Sequence, residues 1–535
     1  MGTVDKPVLP EEDVDLLACI EEAYQKLDYA TASSLIHQRL DSSVIDVSTQ
    51  SRALLYLQLA CLLIDVAKAS NTRVDAEIGL SILEENQSEF LKLTTASSLA
   101  YNIGNAKHSL FTIDRLSSTF EYTPNTIELL IEAKNSYLSA MKTLTEYDSR
   151  LLPKLLVNLG TVLSESGRIS EAILCYDQAI EKIPDFQQAH GCRAVDLVWL
   201  NILTEKYSKM MLVHVYNGLV VSLSDHSMPP FYRRDQEEKL RQTVNALNKH
   251  GVYDIDQAVE EYLDADRATP LSDFQKYALK HGLFLSESAI YCYCPEGCSD
   301  SLDFDESGLP ISIAKRMRLV LERVKSEFVY ARWLYWESLN GQKTPSGEYW
   351  PLESDSNVLP ESTGPRTEML RDSYRTTYSI LDKVASALLD LFEMPSPPKK
   401  VYFETLWKLP KGERTENTQY RWPEMKTMER FPLVGLFSLS TDLDRTSGEW
   451  SHFKSWRNAL EHRGMFIVNA DSPNIEKHEL RKYFEIATER DMQEQCLRLL
   501  QVTAGAIINF SLCVKHSSKW RRRIQESENQ PITTE

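Results

Sequence analysis

The chain has 535 residues, a formal net charge of −18, 42% hydrophobic and 25% charged residues, and few glycines (19) and prolines (22). That composition excludes a disulfide-stapled miniprotein and a largely disordered chain, and it favours two to four helix-rich domains at ~150 residues each. The acidity is uneven: 26 Lys+Arg face 46 Asp+Glu before residue 311, whereas 33 face 31 from there on, so contact with nucleic-acid phosphates is expected only in the second part.

The N-terminal MGTVDKPVLPEEDVDLL lacks the basic and apolar regions of a secretory signal, and Lys6 stands where a myristoylation site wants Ser or Thr. The longest apolar stretches, 53–67 and 499–514, fall short of the ~20 residues of a membrane helix. A cytoplasmic chain without membrane contact, its nine cysteines kept as thiols, is the expectation.

From residue 11 to about 265 amphipathic segments follow one another in pairs, beginning with DVDLLACIEEAYQKL and TASSLIHQRL around Asp28-Tyr29. The clearest unit lies between Leu156 and Pro184. Leu159, Gly160, Leu163, Ala172, Tyr176, Ala179 and Pro184 fall at tetratricopeptide (TPR) spacing. Gly160 and Ala172 permit close helix approach, Tyr176 and Ala179 share a face, and Pro184 stops the second helix. Tyr101 to Gly104, with Ala133, Tyr137 and Ala140, resembles a degraded copy interrupted by an insertion. One repeat cannot bury its own apolar face, so residues 1–265 read as a TPR-like solenoid. Its concave surface either grips a protein, peptide or nucleic-acid partner or serves as a scaffold.

Residues 266–312 read as an interdomain linker. Cys292, Cys294 and Cys298 in it lack the paired Cys-x2-Cys knuckles of a zinc site, and Asp300, Asp303, Asp305 and Glu306 lack EF-hand spacing, so no metal is expected.

After Pro310, Met317, Val320, Leu321, Val324, Phe328, Ala331 and Tyr335 predict a long helix, followed by a loop from about 340 to 366. Tyr374, Tyr378, Leu381, Ala385, Leu388 and Phe392 predict a second, ended by Pro395. Further helices are expected over about 447–463 and 477–519. Together they outline a helical bundle over 313–525 with an insert at about 396–430 and a polar tail over 526–535. The fold class is therefore all-α.

The third of these helices contains GEWSHFKSWRNALEHRG, in which Asn458 and His462 are four apart, Arg457 adjoins Asn458 and Gly464 can end the helix. Arg457-Asn458-x3-His462 resembles the active-site motif of the HEPN ribonuclease superfamily. The segments around Lys325, Glu327 and Ala331-Arg332, around Asp382-Lys383, and over 431–444 are similar to its TPR-fused branch. The resemblance implies a metal-independent endoribonuclease acting as a homodimer or even-numbered oligomer, without cofactor, leaving 2′,3′-cyclic phosphate and 5′-hydroxyl ends. It also implies a toxin-like or antiviral defence effector. His462 would transfer protons, Arg457 would clamp phosphate and Asn458 would orient. Glu461 is a candidate to steer Arg457, and His452 and Arg463 are candidates for neighbouring phosphates. Alternatively, Arg457 and Glu461 form a surface pair and His462 caps the helix end. The basic run Lys519, Trp520, Arg521, Arg522 and Arg523 is open to two readings, RNA contact or a solvated helix end. A non-catalytic adaptor, binding partners through both regions, is the competing function.

Overall fold

The computed structural model describes residues 8–40, 49–145, 150–206, 208–225, 228, 230–268, 270–341, 361–362, 364–394, 401–409, 411–415, 420–423, 431–444, 448–468 and 479–528. The expected loop over 340–366 and the tail over 526–535 thus lie largely outside the described residues, as does part of the 396–430 insert. The described residues are mostly helical, at 74%. The chain's internal contacts divide it into two compact units, residues 1–166 with 175–189, and residues 167–174 with 190–535. The expected repeat array over 1–265 is therefore shared between them.

The first unit is built of paired helices. Glu11–Gln25 and Tyr29–Leu40 bury Ile20, Ala32 and Ile36 together with Leu55, Leu59 and Leu63 of Gln50–Ser70. The turn after Gln50–Ser70 is made by Asn71 in the left-handed region (φ 60°), which a short polar side chain tolerates, and Arg73–Glu85 returns from it. Ala96–Arg115 begins at Thr95, whose hydroxyl accepts the Ser98 N–H, and pairs with Glu128–Lys142. In that pair Gly104 lies beneath the Tyr137 ring, where a Cβ would come within 2.6 Å of a ring carbon; Gly160 lies beneath Tyr176 in the same way at 2.5 Å. The close helix approach expected at Gly160 is thus made against a tyrosine ring, and the same contact recurs at Gly104.

In the second unit the greater part of Gln187–Thr204, from His190 on, with Lys209–Leu223, Pro230–Lys249, Ile255–Ala268 and Asp273–Lys280, precedes the long helices Ile311–Asn340 and Pro365–Leu391. These two bury Met317, Leu321, Val324 and Phe328 on one side and Tyr374, Tyr378, Leu381 and Leu388 on the other, the three-four stripes expected of them. Phe431–Asp442, a short helix starting at His452, and Glu489–Glu528 complete the bundle. The expected helix over 477–519 needs correction. Met465–Val468 and Glu485–Thr488 form a parallel two-stranded sheet, with Met465 opposite Glu485 and Val468 opposite Thr488, before the last helix starts. Gly464 at φ 85° ends the preceding helix, and the run Met-Phe-Ile-Val suits a buried strand.

The apolar stretches 53–67 and 499–514 sit in helices that do reach spanning length, Gln50–Ser70 and Glu489–Glu528. Both are core helices: 56% and 83% of their most apolar windows are buried in the fold.

The segment read as a linker is packed structure. Leu283, Leu285 and Cys292 are fully buried. Asp300 accepts two hydrogen bonds from Arg332, at 2.9 and 2.8 Å, and one from the Leu285 N–H, while Asp303 and Glu306 pair with Arg318. The acidic run is thus partnered, though Asp303 and Asp305 stay exposed, because the bundle helix supplies arginines opposite it. The expectation of nine thiols also needs correction: Cys292 and Cys294 are disulfide-paired, their Cα atoms 5.3 Å apart.

Candidate functional site

Trp450 starts the decisive segment. Its N–H donates to the Asp442 carbonyl at 2.8 Å, and its ring stacks on Phe453 at 6.0 Å. Phe453 is fully buried, and its carbonyl accepts the Tyr374 hydroxyl at 3.2 Å, so the helix is fixed to the bundle through its first turn. From His452 to Asn458 the helix is regular, and over Ala459–Arg463 it widens into a π-helical turn, closed by the Gly464 N–H on the Ala459 carbonyl at 2.8 Å.

The widening has a geometric consequence. In an α-helix residues five apart are turned by about 140° around the axis, so Arg457 and His462 would diverge. A π turn, with i→i+5 bonds, holds more residues per turn and reduces that angle. Arg457, Glu461 and His462 accordingly line one open groove of about 1220 Å³, whose other walls come from Ile311–Asn340 and Pro365–Leu391, among them Arg316, Arg323, Asp382 and Lys383.

Arg457 is held on three sides. It donates to the Asn458 side-chain oxygen at 3.0 Å, lies 4.0 Å from an Asp382 carboxylate oxygen, and sits 5.8 Å over the Tyr378 ring. Asp382 also accepts the Phe403 N–H at 3.2 Å. Burial pushes the Asp382 carboxyl above the ordinary carboxylate range; the Phe403 N–H and the Arg457 charge oppose that shift. Burial lowers the Lys454 ammonium, and Asp382 works against it. Lys454 is paired with buried Glu404 and lies 4.2 Å over the Tyr402 ring.

The other groove cations are already neutralised. Arg316 forks onto Asp390, and Arg323 and Lys383 meet at Glu327, at 2.6 and 2.8 Å. His462 is exposed and makes no hydrogen bond or ion pair among the described residues. Among the described residues the groove therefore offers one guanidinium whose carboxylate partner is at arm's length, and one open imidazole. That pair can hold a phosphate and exchange a proton beside it.

The remaining candidate residues fall elsewhere. No Arg457–Glu461 ion pair forms among the described residues, because Asp382 and Asn458 occupy the guanidinium; Glu461 lines the groove as a separate exposed carboxylate. His452 faces Gln495 at 3.1 Å, edge-on to Phe453 and Trp456, and is not among the groove residues. Arg463 is exposed beyond them. In the basic run Lys519 pairs with Glu205, Arg521 with Glu393 at 3.3 Å and Arg522 with Asp305 at 3.2 Å, so these charges are partnered within the fold; Trp520 is half-buried and Arg523 exposed. Sequence reasoning did not single out Asp382 or Tyr402 as site residues. The signal for Asp382 was a carboxylate four residues after Tyr378, on the edge of an otherwise apolar stripe.

The second unit thus ends in a helical bundle with an open groove beside the distorted turn Ala459–Arg463. Residues 312–517 match the LA2681-like HEPN family, so this part of the chain is a LA2681-like HEPN domain. No curated protein matches the chain.

Proposed function

We propose that the HEPN domain is a metal-independent endoribonuclease whose working groups are Arg457, Asn458 and His462. The observation that carries this reading is the π-helical turn that brings Arg457 and His462 to the same groove. RNA can be cut by its own 2′-hydroxyl. The 2′-oxygen attacks the adjacent phosphorus and loses its proton to a base, while the 5′-oxygen leaves with a proton from an acid. The products are a 2′,3′-cyclic phosphate and a 5′-hydroxyl.

Arg457 would hold two phosphate oxygens in its fixed fork and stabilise the charge that builds on the phosphorane. Asn458 keeps that fork oriented, and His462 serves as one proton-transfer group. Cleavage needs two. A second copy of the chain, facing the first across a two-fold axis, would supply the other, so the active form is a homodimer or an even-numbered assembly.

The helical hairpins of the first unit support a TPR-like arm that receives a protein or peptide signal, which suits a toxin-like or antiviral effector cutting RNA on demand. A non-catalytic adaptor is the second reading, favoured by the internal pairing of Arg316, Arg323, Lys383, Lys519, Arg521 and Arg522. Incubation of the purified chain with total RNA and EDTA decides between them: fragments with cyclic-phosphate ends that vanish in His462→Ala support the nuclease, and intact RNA supports the adaptor.

A further inference from the structure

A buried charge cluster stands beside the candidate site. Arg168 is 1% exposed; it forks onto Glu171 at 2.8 and 2.7 Å and reaches Asp442, itself 1% exposed, at 2.5 Å. Arg498 approaches the same Glu171 at 3.4 Å. Both guanidiniums face the Trp450 ring, at 5.8 Å for Arg168 and 4.4 Å for Arg498.

The backbone is built to admit the turn that carries Arg168. Gly167 has φ +79°, and a Cβ on it would lie 2.2 Å from the Phe431 carbonyl oxygen; one on Gly435 would lie 2.5 Å from the Gly167 carbonyl oxygen. Only glycine at both positions allows that approach.

A buried ion pair contributes little net stability over well-packed apolar groups, since desolvation offsets the attraction. It is directional, however, and here it fixes geometry. Asp442 is the residue whose carbonyl receives the Trp450 N–H, and Trp450 stacks on Phe453 in the first turn of the helix that bears Arg457 and His462.

Resting on the nuclease reading above, we propose that Arg168 is a positioning residue for the Arg457–His462 segment, acting through Asp442 and Trp450.

The test is the double variant Arg168→Met with Asp442→Asn, which removes both charges together and leaves Glu171 its Arg498 partner. Three measurements are made on the full chain beside wild type: thermal melting, amide hydrogen exchange over 450–463, and kcat and KM on RNA. The expected result is a folded protein that loses exchange protection over 450–463 while keeping it over the core of 489–528. Its kcat should fall by about 10²-fold, the scale of a 1 Å misplacement of a reacting group, with KM little changed. A folded variant with wild-type exchange over 450–463 overturns the proposal. Lost protection in a protein whose wild type cuts no RNA leaves the positioning role standing and removes the nuclease reading. If the double variant does not fold, the isosteric Asp442→Asn alone is measured in the same three ways: lost protection over 450–463 supports the positioning role, and wild-type exchange there overturns it.

Discussion

Asp382→Asn isolates what holds Arg457 in place. The substitution keeps the shape of the side chain and an oxygen for the Phe403 N–H, and removes only the charge that faces the guanidinium at 4.0 Å. Two unit charges at that separation attract by about 1 kcal/mol in water and about 4 kcal/mol at the effective dielectric typical of a protein surface. The side chains are 20% and 24% exposed, which puts the pair between those limits, and 4.0 Å is longer than a direct hydrogen bond, so about 1 to 2 kcal/mol of orienting energy is reasonable. Loss of about 1.4 kcal/mol is tenfold in rate. The expected outcome is a fall of about 10-fold in kcat for RNA cleavage, with KM unchanged or lower, because the groove also loses a negative charge. Steady-state kinetics on a short labelled RNA, in a double-mutant cycle with Arg457→Lys, reads both. A kcat equal to wild type together with strict additivity in the cycle would refute the claim that Asp382 orients Arg457.

Four other outcomes are expected. His462→Ala should lower cleavage by ~10²-fold or more without altering the far-ultraviolet circular dichroism, and EDTA should leave wild-type cleavage intact; cleavage that survives the substitution and needs Mg²⁺ would mean different chemistry. Light scattering should report a dimer or larger even assembly, and a strict monomer that cuts RNA would rule out the shared site. Gly160→Ala drives a Cβ to 2.5 Å from the buried Tyr176 ring, so the first unit should lose about 1 to 3 kcal/mol and several degrees of Tm; an unchanged calorimetric transition would contradict the contact. Burial, with Arg193 adding, pushes the His214 ring down to about 3, and burial, with Lys519 and Lys515 adding and Glu205 opposing, pushes His516 down to about 4, both from an ordinary 6.5. Because the unfolded chain takes up those protons first, stability is full above about pH 6.5 and declines on acidification toward pH 4 and below. Melting curves of wild type and His516→Gln should therefore diverge between pH 7 and 4, and parallel curves would show that His516 is not buried neutral.

The helices and their pairing were legible in the residues alone, because apolar periodicity and small-residue spacing are local properties of a chain. The close helix approach at Gly160, and the stripes of 317–328 and 374–388, lie in the fold as the spacing implies. Arg457 and His462 stood out as candidates by residue type and separation, which are read without any neighbour. Other features depend on groups distant along the chain, and these took shape only on folding. The parallel strands Met465–Val468 and Glu485–Thr488 are each four residues long and pair across an intervening segment, so neither carries enough period to outweigh the helical text around it. The fate of the basic run was set by Glu205, Asp305 and Glu393, which reach it from more than a hundred residues upstream. Asp382 became the partner of Arg457 in place of the nearby Glu461 because the bundle presents its carboxylate to the guanidinium across the helix interface. The π-helical turn is of the same kind: a one-residue change in hydrogen-bond register that no residue type announces, and that turns Arg457 and His462 toward one groove.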